Sequence, residues 1–146
     1  MALNPIILSP TIAAEQAIAN YISGNFSGSV YTYSGIDNAD KINPPIAVVY
    51  CKSANEVYYN TRNYAFDIEI YVKDLAADST KQNFDVLVGN IASLFADSPS
   101  GSASLNASTT GIKFWQIQIQ TYTEDHSEDA WSSTLSYKFI GALTPY

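Results

Sequence analysis

YAFDIEIYVK, Tyr64–Lys73, decides the fold. Tyr64, Phe66, Ile68, Ile70 and Val72 fall on one face, and Ala65, Asp67, Glu69, Tyr71 and Lys73 on the other. Strict period-two alternation of this kind marks a half-buried β-strand. At about 3.3 Å per residue such a strand reaches roughly 33 Å, longer than most. The other apolar segments read as its neighbours or as covers for its apolar face.

Two segments upstream qualify as neighbours. Ile46–Cys51 (IAVVYC) is almost continuously apolar, as expected of an interior strand. Ser29–Tyr33 (SVYTY) reads as a short strand. Turn residues over Ser34–Pro45 separate the two. Lys52–Arg62 is expected to connect to the central strand, with a turn at Ser53-Ala54-Asn55. Downstream, Ile112–Tyr122 (IKFWQIQIQTY) alternates again, with Trp115, Ile117 and Ile119 opposite Gln116, Gln118 and Gln120. Ile112 and Phe114 fall on the glutamine side, so a bulge or twist is expected near the start. Trp131–Ala142 completes a long hairpin, joined through Thr123–Ala130.

Two segments carry helical periodicity. Ser9-Pro10 opens the first, with Ser9 as cap and Pro10 at the first helical position. Ala14, Ala17, Ile18, Tyr21 and Ile22 form its apolar face, and Ser23-Gly24 ends it. The second follows a capping-box pattern, Ser79-Thr80-Lys81-Gln82. Its stripe of Phe84, Leu87, Val88, Ile91, Leu94 and Phe95 is expected to cover Phe66, Ile68 and Ile70. Asp97–Gly111, rich in Ser, Gly and Thr, reads as a long mobile loop. The fold class is therefore α+β: a mostly antiparallel sheet of about five strands flanked by two helices, in a single domain over residues 1–146.

Composition narrows function. Only 14% of residues are charged, and the net charge is −7. No cluster of Lys or Arg exists to release counterions from phosphates, which argues against specific nucleic-acid binding. The single cysteine, Cys51, excludes an intrachain disulfide and reads as a buried structural thiol. The N-terminal MALNPIILSP lacks a basic, apolar signal pattern, and no run is long enough to span a membrane. The expectation is a soluble protein that is intracellular or assembled inside a cell.

One stretch is chemically dense: Glu124, Asp125, His126, Ser127, Glu128 and Asp129. It lacks the spacing of a calcium loop, and carboxylates at a hairpin tip keep ordinary acidity in water. His126 is the only histidine, with no nearby nucleophile pattern. No phosphate loop, dinucleotide fingerprint or C-x-x-C occurs. The expectation is a non-enzyme with no catalytic residues, cofactor or metal. Tyrosines and uncharged polar residues suit contact between proteins. The candidate interface residues are Tyr58, Tyr59, Arg62, Gln116, Gln118, Gln120, Glu124 and Asp125.

The element order resembles the phage tail terminator and tail-completion family, and more loosely the head–tail joining proteins. The resemblance runs from Ile12 to Phe139. It rests on the opening amphipathic helix at Pro10–Ile22, the DIEIYV strand at Asp67–Val72, the capped helix Ser79–Phe95 and the hairpin strand WSSTLSYKFIG at Trp131–Gly141. It is a pattern of elements rather than a signature motif. The resemblance implies a structural virion protein forming a ring, usually hexameric, at the head-proximal end of a tail tube. Its neighbours would be the tail tube protein and a head-side connector or stopper. DNA would pass the acidic lumen without specific binding. Two readings from other classes stand beside it: a small monomeric or dimeric ligand-binding module with an apolar pocket, and an enzyme built on His126 and nearby carboxylates.

Overall fold

The computed structural model describes residues 9–33, 45–57, 63–77, 80–95, 105–106, 112–126 and 129–143. The elements are α1 (Pro10–Ser23), β1 (Ser29–Thr32), β2 (Ile46–Glu56), β3 (Asn63–Leu75), α2 (Lys81–Ser93), β4 (Ile112–His126) and β5 (Ala130–Leu143). They build an α+β domain around one five-stranded sheet of order β1-β2-β3-β5-β4. The alternating stretch is its middle strand, paired without interruption to β5 from Asn63↔Ala142 to Leu75↔Ala130.

The sheet is mixed, which corrects the mostly antiparallel expectation. β1 runs parallel to β2, pairing Ser29 with Ile46 and Thr32 with Val49, while the other neighbours are antiparallel. A two-residue turn forces antiparallel pairing, whereas the long connection from Thr32 to Ile46 lets the chain return in the same direction.

Directly opposed residues share a face. Phe66, Ile68, Ile70 and Val72 therefore align with Phe139, Tyr137, Leu135 and Ser133 of β5. On the other side Ile68, Ile70 and Val72 align with Cys51, Val49 and Ala47 of β2. All of these are buried. Both helices lie on this inner face. Phe95, just past α2, meets Tyr21 of α1 edge-on at 5.7 Å and Phe139 at 5.6 Å. α1 crosses β1, β2 and β3, whereas α2 packs on β5. Phe84, Val88, Ile91 and Phe95 from the α2 segment share one buried core cluster with Phe66, Ile68 and Ile70, and Ile18 and Ile22 of α1 belong to the same cluster.

The helix caps follow the sequence in part. Ser9 accepts from the Ile12 N–H at 3.2 Å, as the sequence predicts. For α2 the cap is Thr80, which accepts from the Asn83 N–H at 3.1 Å, so the predicted box starting at Ser79 is shifted by one residue. Ser79 lies outside the described residues.

Two segments expected to be irregular contain residues that are ordered. The predicted turn at Ser53-Ala54-Asn55 is strand, because a bulge between Cys51 and Ser53 lets β2 continue to Glu56. Within the predicted loop 97–111, Leu105 is fully buried and the Asn106 side chain binds Phe114. The rest of that loop lies outside the described residues. The hairpin is also longer than predicted, since Glu124, Asp125 and His126 belong to β4.

Candidate functional site

The outer face of the sheet carries neither helix. Strand alternation places Val48, Tyr50, Ser53 and Asn55 of β2 there, opposite Tyr71, Glu69, Asp67 and Ala65 of β3. β5 adds Ser132, Thr134, Ser136 and Lys138. Toward the β1 edge the face is tyrosine-rich. The Tyr33 and Tyr50 rings lie 4.4 Å apart, and Tyr33 and Tyr71 are exposed. Toward β4 it is polar. A groove of about 320 Å³ crosses it, lined by Lys52, Asp67, Glu69, Gln120, Thr121 and Ser136. Its charged groups already have partners: Ser53 Oγ donates to Asp67 at 3.0 Å, and Lys52 Nζ lies 3.5 Å from Glu69. Among the described residues, no three His, Cys, Asp or Glu side chains gather as metal ligands.

Of the predicted interface residues that are described, Glu124 lies apart from the others. Tyr58, Tyr59 and Arg62 lie outside the described residues. Gln116 and Gln118 occupy the outer face, opposite Ile140 and Lys138. Gln120 falls in a bulge between Ile119 and Thr121, so the glutamine ladder stops at two rungs. Asp125 is also outer, opposite Ser132. Glu124 turns inward, opposite Ser133, toward the N-terminus of α2.

There Glu124 joins a charged cluster. Its carboxylate lies 2.8 Å from Lys81 Nζ and accepts from the Tyr122 hydroxyl at 2.9 Å. Lys81 also holds Asp85, one helical turn on, at 2.6 Å. These hydrogen bonds pull Glu124 below the ordinary carboxylate range and push Lys81 upward. The Tyr122 hydroxyl is pushed up by partial burial and by the carboxylate it contacts. Two exposed carboxylates share one ammonium in water, so the cluster ties α2 to the hairpin rather than activating a proton donor. His126 stacks on Trp131 across the hairpin, ring centroids 4.1 Å apart.

Two buried groups escaped the sequence reading. Glu15 is only 2% exposed, and its carboxylate accepts from the Cys51 N–H at 2.9 Å. That amide lies on the β1 side of β2, two residues beyond Val49, whose carbonyl accepts from the Tyr33 N–H. Helical spacing held the signal, since Glu15 lies three and seven residues before Ile18 and Ile22, within the apolar stripe. The Cys51 thiol is itself pushed up to about 12, first by burial and then by Glu15. It stays a protonated, inert thiol at neutral pH, as expected of a structural cysteine. The Tyr137 hydroxyl, in the aromatic cluster with Phe95 and Phe139, has no hydrogen-bond partner among the described residues. Burial pushes it up to about 12.

Comparison of the sequence with protein-family models and with curated proteins finds no match.

Proposed function

We propose that this chain is a structural protein of a bacteriophage or phage-like particle, acting as a ring-forming terminator at the head-proximal end of a tail tube. In this reading the ring caps the tube, offers the head-side connector a docking surface, and passes DNA through an acidic lumen without gripping it. The observation that carries the proposal is the one-sided sheet. Among the described residues, five strands bury one face under two helices and leave the other uncovered, with tyrosines at one end and polar residues of both kinds, charged and uncharged, at the other. Such a face suits broad contact with a neighbouring protein better than it suits chemistry. The element order, with a helix before three strands and a second helix before a long hairpin, is the order on which the family resemblance rests, and it supports the reading. A terminator and another neck protein of the same fold share these features, and the tail tube distinguishes them.

The experiment is solution mass by light scattering, followed by electron microscopy of purified tail tubes mixed with the chain. The expected result is density confined to one tube end and a ring-sized mass, free or on the tube. A Tyr33→Asp/Tyr71→Asp double variant should keep its fold and lose end binding. Failure to form a ring with tubes present, together with absence of end density, overturns the reading.

A further inference from the structure

Among the described residues, β4, with 15 residues, is the longer of the two edge strands of the sheet, β1 having 4. The first part of the β4 edge is closed: Asn106 accepts from the Phe114 N–H at 2.8 Å and donates to the Phe114 carbonyl. Beyond that clamp, among the described residues, nothing binds the outward backbone groups of Gln116–Thr123. Sheet edges of this length are normally blunted by lysine, proline or a covering element. The run from Trp115 to Thr123, WQIQIQTYT, contains neither proline nor any charged residue. Trp115, Ile119 and Tyr122 project from it, each about half exposed (50%, 53% and 45%).

We propose that this edge pairs antiparallel with the same edge of a second copy, joining two sheets into one. The strand is self-complementary when read in its own pleat. Bulges set Trp115 and Gln120 aside, and the remaining residues alternate between the faces on either side of Ile119. Centred there, Gln118 faces Thr121 and Gln116 faces Thr123 on the outer side. Ile117 faces Tyr122 on the inner side, and Ile119 meets its own copy. Every pair matches face with face, as a continuous sheet requires.

Charge selects the direction. One end of the strand holds Lys113, and the other holds Glu124 and Asp125. A parallel pair would set acid against acid, whereas the antiparallel pair brings each Lys113 to the partner's acidic end. Lys113 Nζ already reaches the Asn106 carbonyl at 2.6 Å, and an ammonium has further donors to share. The Asn106 clamp at Phe114 ends the ladder at Gln116, so the contact stays short and depends on concentration. It is isologous and closes at two copies. It therefore does not build the ring proposed above, and it stands whether or not that ring forms.

The test is amide hydrogen exchange over Gln116–Thr123 at low and high protein concentration, with solution mass measured in parallel. Exchange in this segment should slow at high concentration, and mass should double. Ile119→Lys places two like charges at the two-fold centre and should abolish both changes while the far-UV spectrum stays native. Lys113→Asp should weaken the pair, and adding Asp125→Lys should restore it. A ring that forms would double from six copies to twelve and return to six in the Ile119→Lys chain, which separates the two proposals. Concentration-independent exchange in Gln116–Thr123 overturns the inference. So does a doubled mass that survives Ile119→Lys, or a charge swap that restores nothing.

Discussion

β3 and β4 look alike as sequence and behave differently as structure. Both alternate over ten residues or so, and both belong to the same sheet. β3 keeps a single register with β5 over its 13 residues. β4, with 15 residues, shifts register twice against that same partner, between Phe114 and Gln116 and between Ile119 and Thr121. The difference lies in the neighbours. β3 is hydrogen-bonded on both sides, so an extra residue would disturb two ladders at once. β4 is an edge, and a bulge there disturbs only one. Local packing adds to the first shift. Gly141 of β5 sits against Lys113 and Phe114, where an added Cβ would collide with the Lys113 carbonyl and the Phe114 ring. Alternation therefore assigns faces reliably in the middle of a sheet and only piecewise at its margin.

The largest expected effect breaks the comparison at its centre. Ile70 is fully buried and opposed by Leu135 and Val49. Ile70→Asp places an unpaired charge in the core and should cost about 4 kcal/mol or more. Ile119→Asp, on the edge at 53% exposure, should cost about 0.5 kcal/mol or less. Urea denaturation of the two variants measures both values. Equal losses would mean that the edge strand is as tightly held as the middle one.

A second break acts on an edge amide rather than on a face. The Cys51 N–H on the β1 side of β2 is held by Glu15, whereas the outward backbone of β4 beyond Phe114 has no comparable clamp among the described residues. Glu15→Ala leaves the buried Cys51 N–H without that acceptor and should cost about 1–3 kcal/mol. Glu15→Gln keeps an acceptor oxygen and should cost less. Thermal melts of both variants decide it, and an Ala variant as stable as the native chain would show that water can replace the carboxylate.

These cases explain what the sequence could and could not disclose. The alternating strand, the Ser9 cap and the α2 stripe were legible because each follows from local spacing, and each falls where that spacing puts it. The parallel placement of β1 was not legible, because a long connection permits either direction. Nor was the extension of β2 through Ser53-Ala54-Asn55, whose turn-prone residues are overruled by ladder pairing with β3. The faces of the candidate interface residues were legible only in part. Gln116 and Gln118 share the outer face, the second bulge takes Gln120 out of the ladder while leaving it at the outer groove, and the same shift turns Glu124 inward to Lys81. A bulge reverses every side chain beyond it, so an error of one residue exchanges the two surfaces.

Tyr137 sharpens the comparison within β5, the strand shared by both neighbours. It faces Ile68 of β3 on one side and Ile119 of β4 on the other. Its hydroxyl is buried and lacks a partner among the described residues. Tyr137→Phe removes the desolvated group while keeping the ring against Phe95 and Phe139, so it should be neutral or stabilising by about 1 kcal/mol. A clear loss of stability in urea would show that the hydroxyl is satisfied in solution.

The smallest effect concerns what holds the outer half of β4, where apolar burial has stopped. From Gln118 onward every residue of the strand is exposed, and Lys81 on α2 reaches across to Glu124. Glu124 is depressed first by its Lys81 hydrogen bond and then by Tyr122. A carboxylate with a lowered folded-state pKa contributes stability above its unfolded value, and that contribution fades as pH falls through the folded value. Lys81 is raised, so its contribution holds below the ordinary lysine value and fades in strong alkali. Between these limits the tie is intact, and below the ordinary glutamate range it releases. Because both groups are exposed, added salt should weaken the tie as acid does. Amide exchange in Thr121–His126 should therefore quicken on acidification, after correction for intrinsic rates, while β3 amides hold. Glu124→Gln should remove that pH response and lower the melting temperature only slightly. If exchange at β3 changes in step with exchange at the edge, the two strands open together and the contrast between them fails.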